Sequence, residues 1–147
     1  MRYLVDTSVL VRAVHPGDPR RALAQRALRT LRSAGHQLCL LPQNVAEFWA
    51  VSTRPAGPPS NGLGLSAPIT RRLIGRFEPF FDVFFETPSV YQQWKRLLDE
   101  QEISGRQVHD ARLVAATIAH GFERILTFDV AHFRRYKEVQ IVHPDDV

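Results

Sequence analysis

Short apolar runs alternate with segments of helical period from one end of the chain to the other, and this alternation restricts the fold more than any other feature. The runs are RYLVD, QLCLL, DVFFE, RILTFD and VQIVH, each of a length that suits a buried strand. Between them, TSVLVRAVH reads as a helix stopped by Pro16 and Gly17. PRRALAQRALRTLRSAG follows, with Ala24, Leu28 and Leu31 on one face, Pro19 at its start and Gly35 past its end. PQNVAEFWAVSTR opens at Pro42 and closes before Pro55, since proline has no N–H to continue a helix. PITRRLIGRFEPFF is a further helix, and TPSVYQQWKRLLDEQEI starts from Thr87 as N-cap with Pro88 in the first turn. Another helix runs from Val108 to a stop at Gly121, and VAHFRRY is a short turn. The expected fold is α/β, with a mostly parallel central sheet of four to five strands flanked by helices and joined by right-handed crossovers. No repeat or compositional break divides the chain, so residues 1–147 read as one domain.

The same reading excludes several classes. No apolar run approaches the roughly 18 residues of a membrane span, and MRYLVD lacks a signal-peptide profile, so a soluble, cytoplasmic protein is expected. Cys39 is the only cysteine, which rules out an internal disulfide and suggests a buried small hydrophobe. The net charge is +4 and the basic residues are nearly all arginine, which binds phosphate in bidentate fashion and makes nucleic acid a plausible partner. PAGPPSNGLGLSAP, residues 55–68, is too rich in proline and glycine for a regular element and reads as a long, potentially functional loop.

The acids carry the chemistry. Asp6 follows the first strand and Asp129 follows RILTF, so both face the carboxyl rim of the sheet, where parallel sheets bind ligands. Glu47 and Asp110 lie in early turns of helices that lead from that rim. Asp110 heads the stripe formed by Leu113, Val114 and Thr117, which should face the core. An unpaired carboxylate there costs several kcal/mol. Taken singly, Asp6 and Asp129 suit N-caps, Glu47 a solvated position and Asp110 an ion pair with arginine. Together they describe a carboxylate cluster that needs a cation, and oxygen ligands favour Mg²⁺ or Mn²⁺ over zinc. Such an ion polarises phosphoryl oxygens and activates water, which points to phosphodiester hydrolysis.

At these residues the chain resembles the PIN-domain ribonucleases, and among them the VapC-type toxins of toxin–antitoxin pairs. The resemblance covers essentially the whole chain through YLVDTSVL, QNVAEFWAVSTRP, GRQVHDARLVAAT and ILTFDVAHFRRY, in family order. It implies Asp6, Glu47 and Asp110 as metal-binding acids, with Asp129 as the fourth. Thr7 or Ser8 and Thr127 match hydroxyl positions that orient ligands, while Asn44 suits either site orientation or a helix-start cap. Relatives often carry Asn at the position of Asp129 and Asp at that of His132; the fourth ligand is read as Asp129, and His132 as a substrate contact or surface residue. Arg106 and Arg112 flank Asp110 and suit an RNA phosphate or an acidic partner side chain. His109 points off the stripe, and Trp49 and Trp94 read as core or interface.

The function this implies is that of a metal-dependent endoribonuclease toxin acting on tRNA or rRNA, with a VapB-like antitoxin and a homodimeric state. Two other classes compete with it. One is a catalytically silent PIN-fold module that binds RNA or protein; metal-dependent turnover separates the two. The other is a haloacid-dehalogenase-like phosphatase, which needs a second Asp two positions after the first, where this chain has Ser8.

Overall fold

The computed structural model describes all 147 residues. In chain order the elements are β1 (Arg2–Val5), α1 (Thr7–Val14), α2 (Arg21–Ser33), β2 (Gln37–Leu40), α3 (Pro42–Thr53), α4 (Ala67–Phe77), β3 (Asp82–Val83), α5 (Pro88–Glu100), α6 (Gln107–Ala119), β4 (Arg124–Leu126), α7 (Val130–Phe133) and β5 (Gln140–Val142). The strands form one sheet in the order β3-β2-β1-β4-β5, and every pairing is parallel. The α/β fold with five strands is therefore the one expected. No helix is long and apolar enough to cross a membrane.

Alternation along each strand divides the core in two. Leu4, Cys39 and Ile125 face the side covered by α5 and α6, in a cluster that includes Val90, Leu97, Leu113 and Val114. Tyr3, Val5, Leu38, Leu40 and Leu126 face the side of α1, α2 and α3, against Val9, Leu10, Ala24 and Phe48. A strand buried on both faces must be apolar at consecutive positions, which is why YLV and LCL lack the polar alternation of a half-exposed sheet. Cys39 is fully buried, and burial pushes its thiol pKa up to about 12, so it serves as core filling.

The expected DVFFE strand is shorter than its apolar run. Only Asp82–Val83 form β3, with one further bond from Phe84 N–H to the Leu40 carbonyl at 2.8 Å. As an edge strand it has a single neighbour, and its run ends with Phe85 68% exposed. VAHFRRY holds a four-residue helix rather than a plain turn. At the ends of α2 and α6 the chain turns through Gly35 at φ +79° and Gly121 at φ +65°, conformations that glycine adopts without a Cβ penalty.

Strand order reverses between β1 and β4: from β1 the chain passes to β2 on one side, whereas β4 and β5 lie on the other. Their carboxyl ends are tied where the Asp6 N–H donates to the Leu126 carbonyl at 3.0 Å. The crevice outside such a reversal is where open parallel sheets accept ligands.

Candidate active site

A single cleft of about 380 Å³ opens at that reversal. It is lined by Asp6, Thr7, Ser8, Val11 and Arg12 from the β1–α1 end, Glu47, Ala50 and Val51 from α3 with Arg54 just past its end, Asp110 from α6, and Asp129, His132 and Phe133 around α7. The four acids singled out in the sequence are thus brought to one place by four separate segments.

Asp6 is the anchor. It stands at the N-cap position of α1 but makes no capping bond with its side chain, and Asp129 at the start of α7 makes none either. Capping therefore does not account for them. Asp6 is only 7% exposed, and both Ser8 Oγ and Thr127 Oγ1 donate to its Oδ2 at 2.7 Å. The two hydroxyls are themselves fixed from behind: Ser8 Oγ accepts from the Phe128 N–H at 3.2 Å, and Thr127 Oγ1 from the Asp129 N–H at 2.9 Å. Hydrogen bonds to a carboxylate are stronger than neutral ones and favour its charged form. Burial nonetheless wins, and with the nearby Asp129 it holds the Asp6 pKa above its ordinary value.

Glu47 is held by two donors, Gln43 Nε2 to Oε1 at 2.8 Å and Thr7 Oγ1 to Oε2 at 3.1 Å. Gln43 Nε2 also reaches the His109 carbonyl at 3.0 Å, which ties α3 to the first turn of α6. Asn44 is wholly buried and does what a helix-start residue does: its Oδ1 accepts from the Leu41 N–H at 2.9 Å, and it meets the site at Thr7, whose Oγ1 donates to the Asn44 carbonyl at 3.3 Å and accepts from its Nδ2 at 3.5 Å.

Asp110 occupies the inner face of α6, above the buried Leu113, Val114 and Thr117. Desolvation raises its pKa to about 6, and the charges of Asp6, Glu47 and Asp129 push in the same direction; His132 opposes them, its Nδ1 lying 3.7 Å from Asp110 Oδ2. Asp129 and His132, the two candidates for the fourth position, both line the cleft.

Arg106 and Arg112 are placed elsewhere. Arg112 makes a bidentate pair with Glu86, at 2.9 and 2.6 Å, beside α5 rather than in the cleft. Arg106 is the exposed residue at the start of α6 and does not line the cleft either. The cations that do line it are Arg12 and Arg54. Each was legible as a face-mate of a site residue, Arg12 four positions after Ser8 and Arg54 seven after Glu47. Gln43, four before Glu47, was missed in the same way. Trp94 is partly buried with its indole N–H on the Val108 carbonyl at 2.9 Å, and Trp49 lines a shallow apolar recess with Val45, Val83 and Phe85.

No three His, Cys, Asp or Glu side chains form a ready coordination shell. The donors that converge are carboxylate oxygens, the chemistry of a hard divalent cation, and their mutual repulsion is the strain such a cation would relieve.

Residues 3–139 match the sequence profile of the PIN domain. A sequence search against curated proteins returns no significant match. Among solved structures the chain is similar to VapBC2 from Rickettsia felis, determined with a DNA fragment from its promoter, at TM-score 0.73 and 15% identity over 97% of this chain and 98% of that one. It is similar to VapBC-1 from nontypeable Haemophilus influenzae, at TM-score 0.71 and 14% identity over 99% of each chain. It is also similar to VapC20 from Mycobacterium tuberculosis, described as a toxin that cleaves the sarcin–ricin loop, at TM-score 0.63 and 20% identity over 94% of this chain and 98% of that one. At such identities the likeness speaks for the fold.

Proposed function

The chain belongs to the PIN domain family, and from that premise we propose that it is a metal-dependent endoribonuclease and the toxin of a toxin–antitoxin pair. One observation carries the reading: Asp6, Glu47, Asp110 and Asp129 all line one cleft at the strand-order reversal, two of them held by dedicated hydroxyls. A Mg²⁺ or Mn²⁺ ion held by these acids would supply polarisation of a phosphoryl oxygen and activation of water. Ser8 and Thr127 orient Asp6, Thr7 and Gln43 orient Glu47, and the apolar stripe of α6 fixes the helix that presents Asp110. No hydroxyl or thiol acts as nucleophile: Ser8 and Thr127 spend their protons on Asp6, and Cys39 is buried away from the cleft. The substrate is a loop or single-stranded part of tRNA or rRNA, where the backbone is accessible to the cleft.

The partners follow from surfaces. A groove of about 520 Å³ between α1, α2 and α4 is floored by Val14, Leu28, Leu73 and Phe77 and bordered by Arg21, Arg29, Arg32 and Arg76, with no acid among its lining residues. It suits an acidic amphipathic segment of a VapB-like antitoxin, as the VapBC neighbours suggest. The exposed Phe85 and Tyr91, with the recess at Trp49, support a homodimer.

The test is incubation of the purified protein and Asp110→Asn with total tRNA and rRNA in Mg²⁺, Mn²⁺ or EDTA. Discrete cleavage that requires the metal and the carboxylate is expected. Equal cleavage by both proteins, or none by either, would refute the assignment and leave the binding module.

A further inference from the structure

The cleft is bipolar. On α3 the lining residues are Glu47, Ala50 and Val51, one helix face, followed by Arg54 at the helix end; on α1 they are Thr7, Ser8, Val11 and Arg12. At 1.5 Å per residue, Arg54 starts about 10 Å beyond Glu47, while the Arg12 side chain folds back to the Ser8 carbonyl. The cleft thus carries both signs of charge, four acids and two arginines, with Val11, Ala50 and Val51 as its apolar lining.

Both arginines are free of carboxylates. The arginine ion pairs of the chain use Arg96 and Arg112. Arg12 is fixed by other means: it donates to the Ser8 carbonyl at 3.0 Å and stacks 4.8 Å above the Phe128 ring, and Arg20 stacks on the same ring at 5.5 Å. Arg54 is fixed through its backbone by the 55–68 loop. Leu63 and Leu65 N–H donate to the Val51 and Ser52 carbonyls at 3.0 and 2.8 Å, and Gly64 N–H to the Arg54 carbonyl at 2.8 Å. Gly62 sits so close that a Cβ there would clash with the Arg54 carbonyl. Two arginines thus line the cleft with no protein counter-ion, the Arg12 guanidinium held over an aromatic face and Arg54 standing on a backbone clamped by the loop.

We propose that Arg12 and Arg54 hold the RNA backbone phosphates next to the one at the acids, with a ribose against Val11, Ala50 and Val51. This rests on the ribonuclease reading. With a divalent cation on the acids, a phosphodiester chain finds a partner at successive phosphates, the ion for one and the arginines for its neighbours. An acidic polypeptide is the competing occupant of the arginines. The long loop gains a role in placing the Arg54 backbone.

The experiment measures binding rather than turnover. Fluorescence anisotropy follows a labelled single-stranded uridine oligomer with the Asp110→Asn protein in EDTA across a salt series. Each lost phosphate contact should lower the slope of log affinity against log salt by about 0.7, so adding Arg12→Ala and Arg54→Ala together should lower it by about 1.4. The corresponding double lysine variant should keep the slope, and Arg26→Ala, on the exposed face of α2, should leave it unchanged. An unchanged slope in the double alanine variant, or no measurable binding by its parent, would overturn the proposal. So would displacement of the oligomer by polyglutamate as effective as by unlabelled RNA, which would assign the arginines to an acidic polypeptide. Metal-dependent cleavage by the unsubstituted chain is scored separately: its absence with the slope result intact would sink the nuclease reading alone.

Discussion

Asp110→Asn should stabilise the metal-free protein while abolishing its activity. The carboxyl has an ordinary pKa of 3.8 and is raised to about 6 in the folded chain, chiefly by burial. Below about pH 3.8 both folded and unfolded states carry the proton and the group contributes nothing. Between 3.8 and about 6 the unfolded chain releases its proton while the folded chain retains it, so stability falls as pH rises; above about 6 the full penalty applies. At about 1.4 kcal/mol per pH unit the upper bound is about 3 kcal/mol. The side chain is 29% exposed, and solvent screening in an open cleft cuts this roughly in half, to about 1.5 kcal/mol. Asparagine keeps the shape and has no charge to desolvate. In EDTA at about pH 8 the variant should melt about 3–6 °C above the unsubstituted protein, a gap that closes by about pH 4. Adding Mg²⁺ should narrow the gap at about pH 8, because an ion stabilises the state that binds it in proportion to affinity and the variant lacks one of the proposed ligands. Thermal unfolding with and without EDTA at the two pH values reads all of this. Equal melting temperatures in EDTA at about pH 8, or a gain that persists at about pH 4, would refute the reasoning.

Thr127→Val keeps the buried shape but removes the donor to Asp6 and the acceptor for the Asp129 N–H. It should cost about 1.5–3 kcal/mol in urea unfolding and weaken Mn²⁺ binding about 10- to 100-fold by calorimetry. Gly62→Ala forces a Cβ onto the Arg54 backbone, which should cost about 1–3 kcal/mol and make the 55–68 loop newly sensitive to limited proteolysis. Glu86→Gln breaks the pair with Arg112, whose side chains are 46% and 41% exposed. Unfolding should shift by less than about 1 kcal/mol and metal-dependent cleavage should be unchanged, since neither residue lines the cleft.

What the sequence revealed and what it hid divide along the range of the interactions. Strands and helices were legible because two-sided burial writes consecutive apolar letters and amphipathic burial writes a period, both within a dozen residues. The acids were legible because an acid directly after a buried strand, or at the head of an apolar stripe, violates that local pattern. Partner choice is not local. Arg112 stands two positions from Asp110 yet pairs with Glu86, 26 positions away, because the side of α6 that carries it faces the start of α5. Proximity in sequence favoured Arg106 and Arg112 for the cleft; helical phase favours Arg12 and Arg54. The proline-rich loop betrayed its irregularity but not its attachment. Its bonds to Val51, Ser52 and Arg54 depend on one backbone path, which Gly62 permits and composition does not specify.

The four acids are held to different degrees, and the difference bears on how the site works. Asp6 is locked: buried, bonded to two hydroxyls and tied to β4 through its own backbone. Glu47 is held by one hydroxyl and one amide, and Asp110 has only an exposed histidine beside it. If all were locked at coordination distance, their mutual repulsion would add permanently to the burial that raises the Asp110 pKa. Anchoring one carboxylate firmly and holding the others by fewer bonds keeps that repulsion lower in the metal-free chain. It follows that metal affinity should depend most steeply on Asp6 and its hydroxyls, since they define where the ion sits, and that Asp110 should contribute most where its repulsion is relieved. Thr127→Val and Asp110→Asn therefore separate the two roles: the first should lower both stability and metal affinity, whereas the second should raise metal-free stability while lowering affinity.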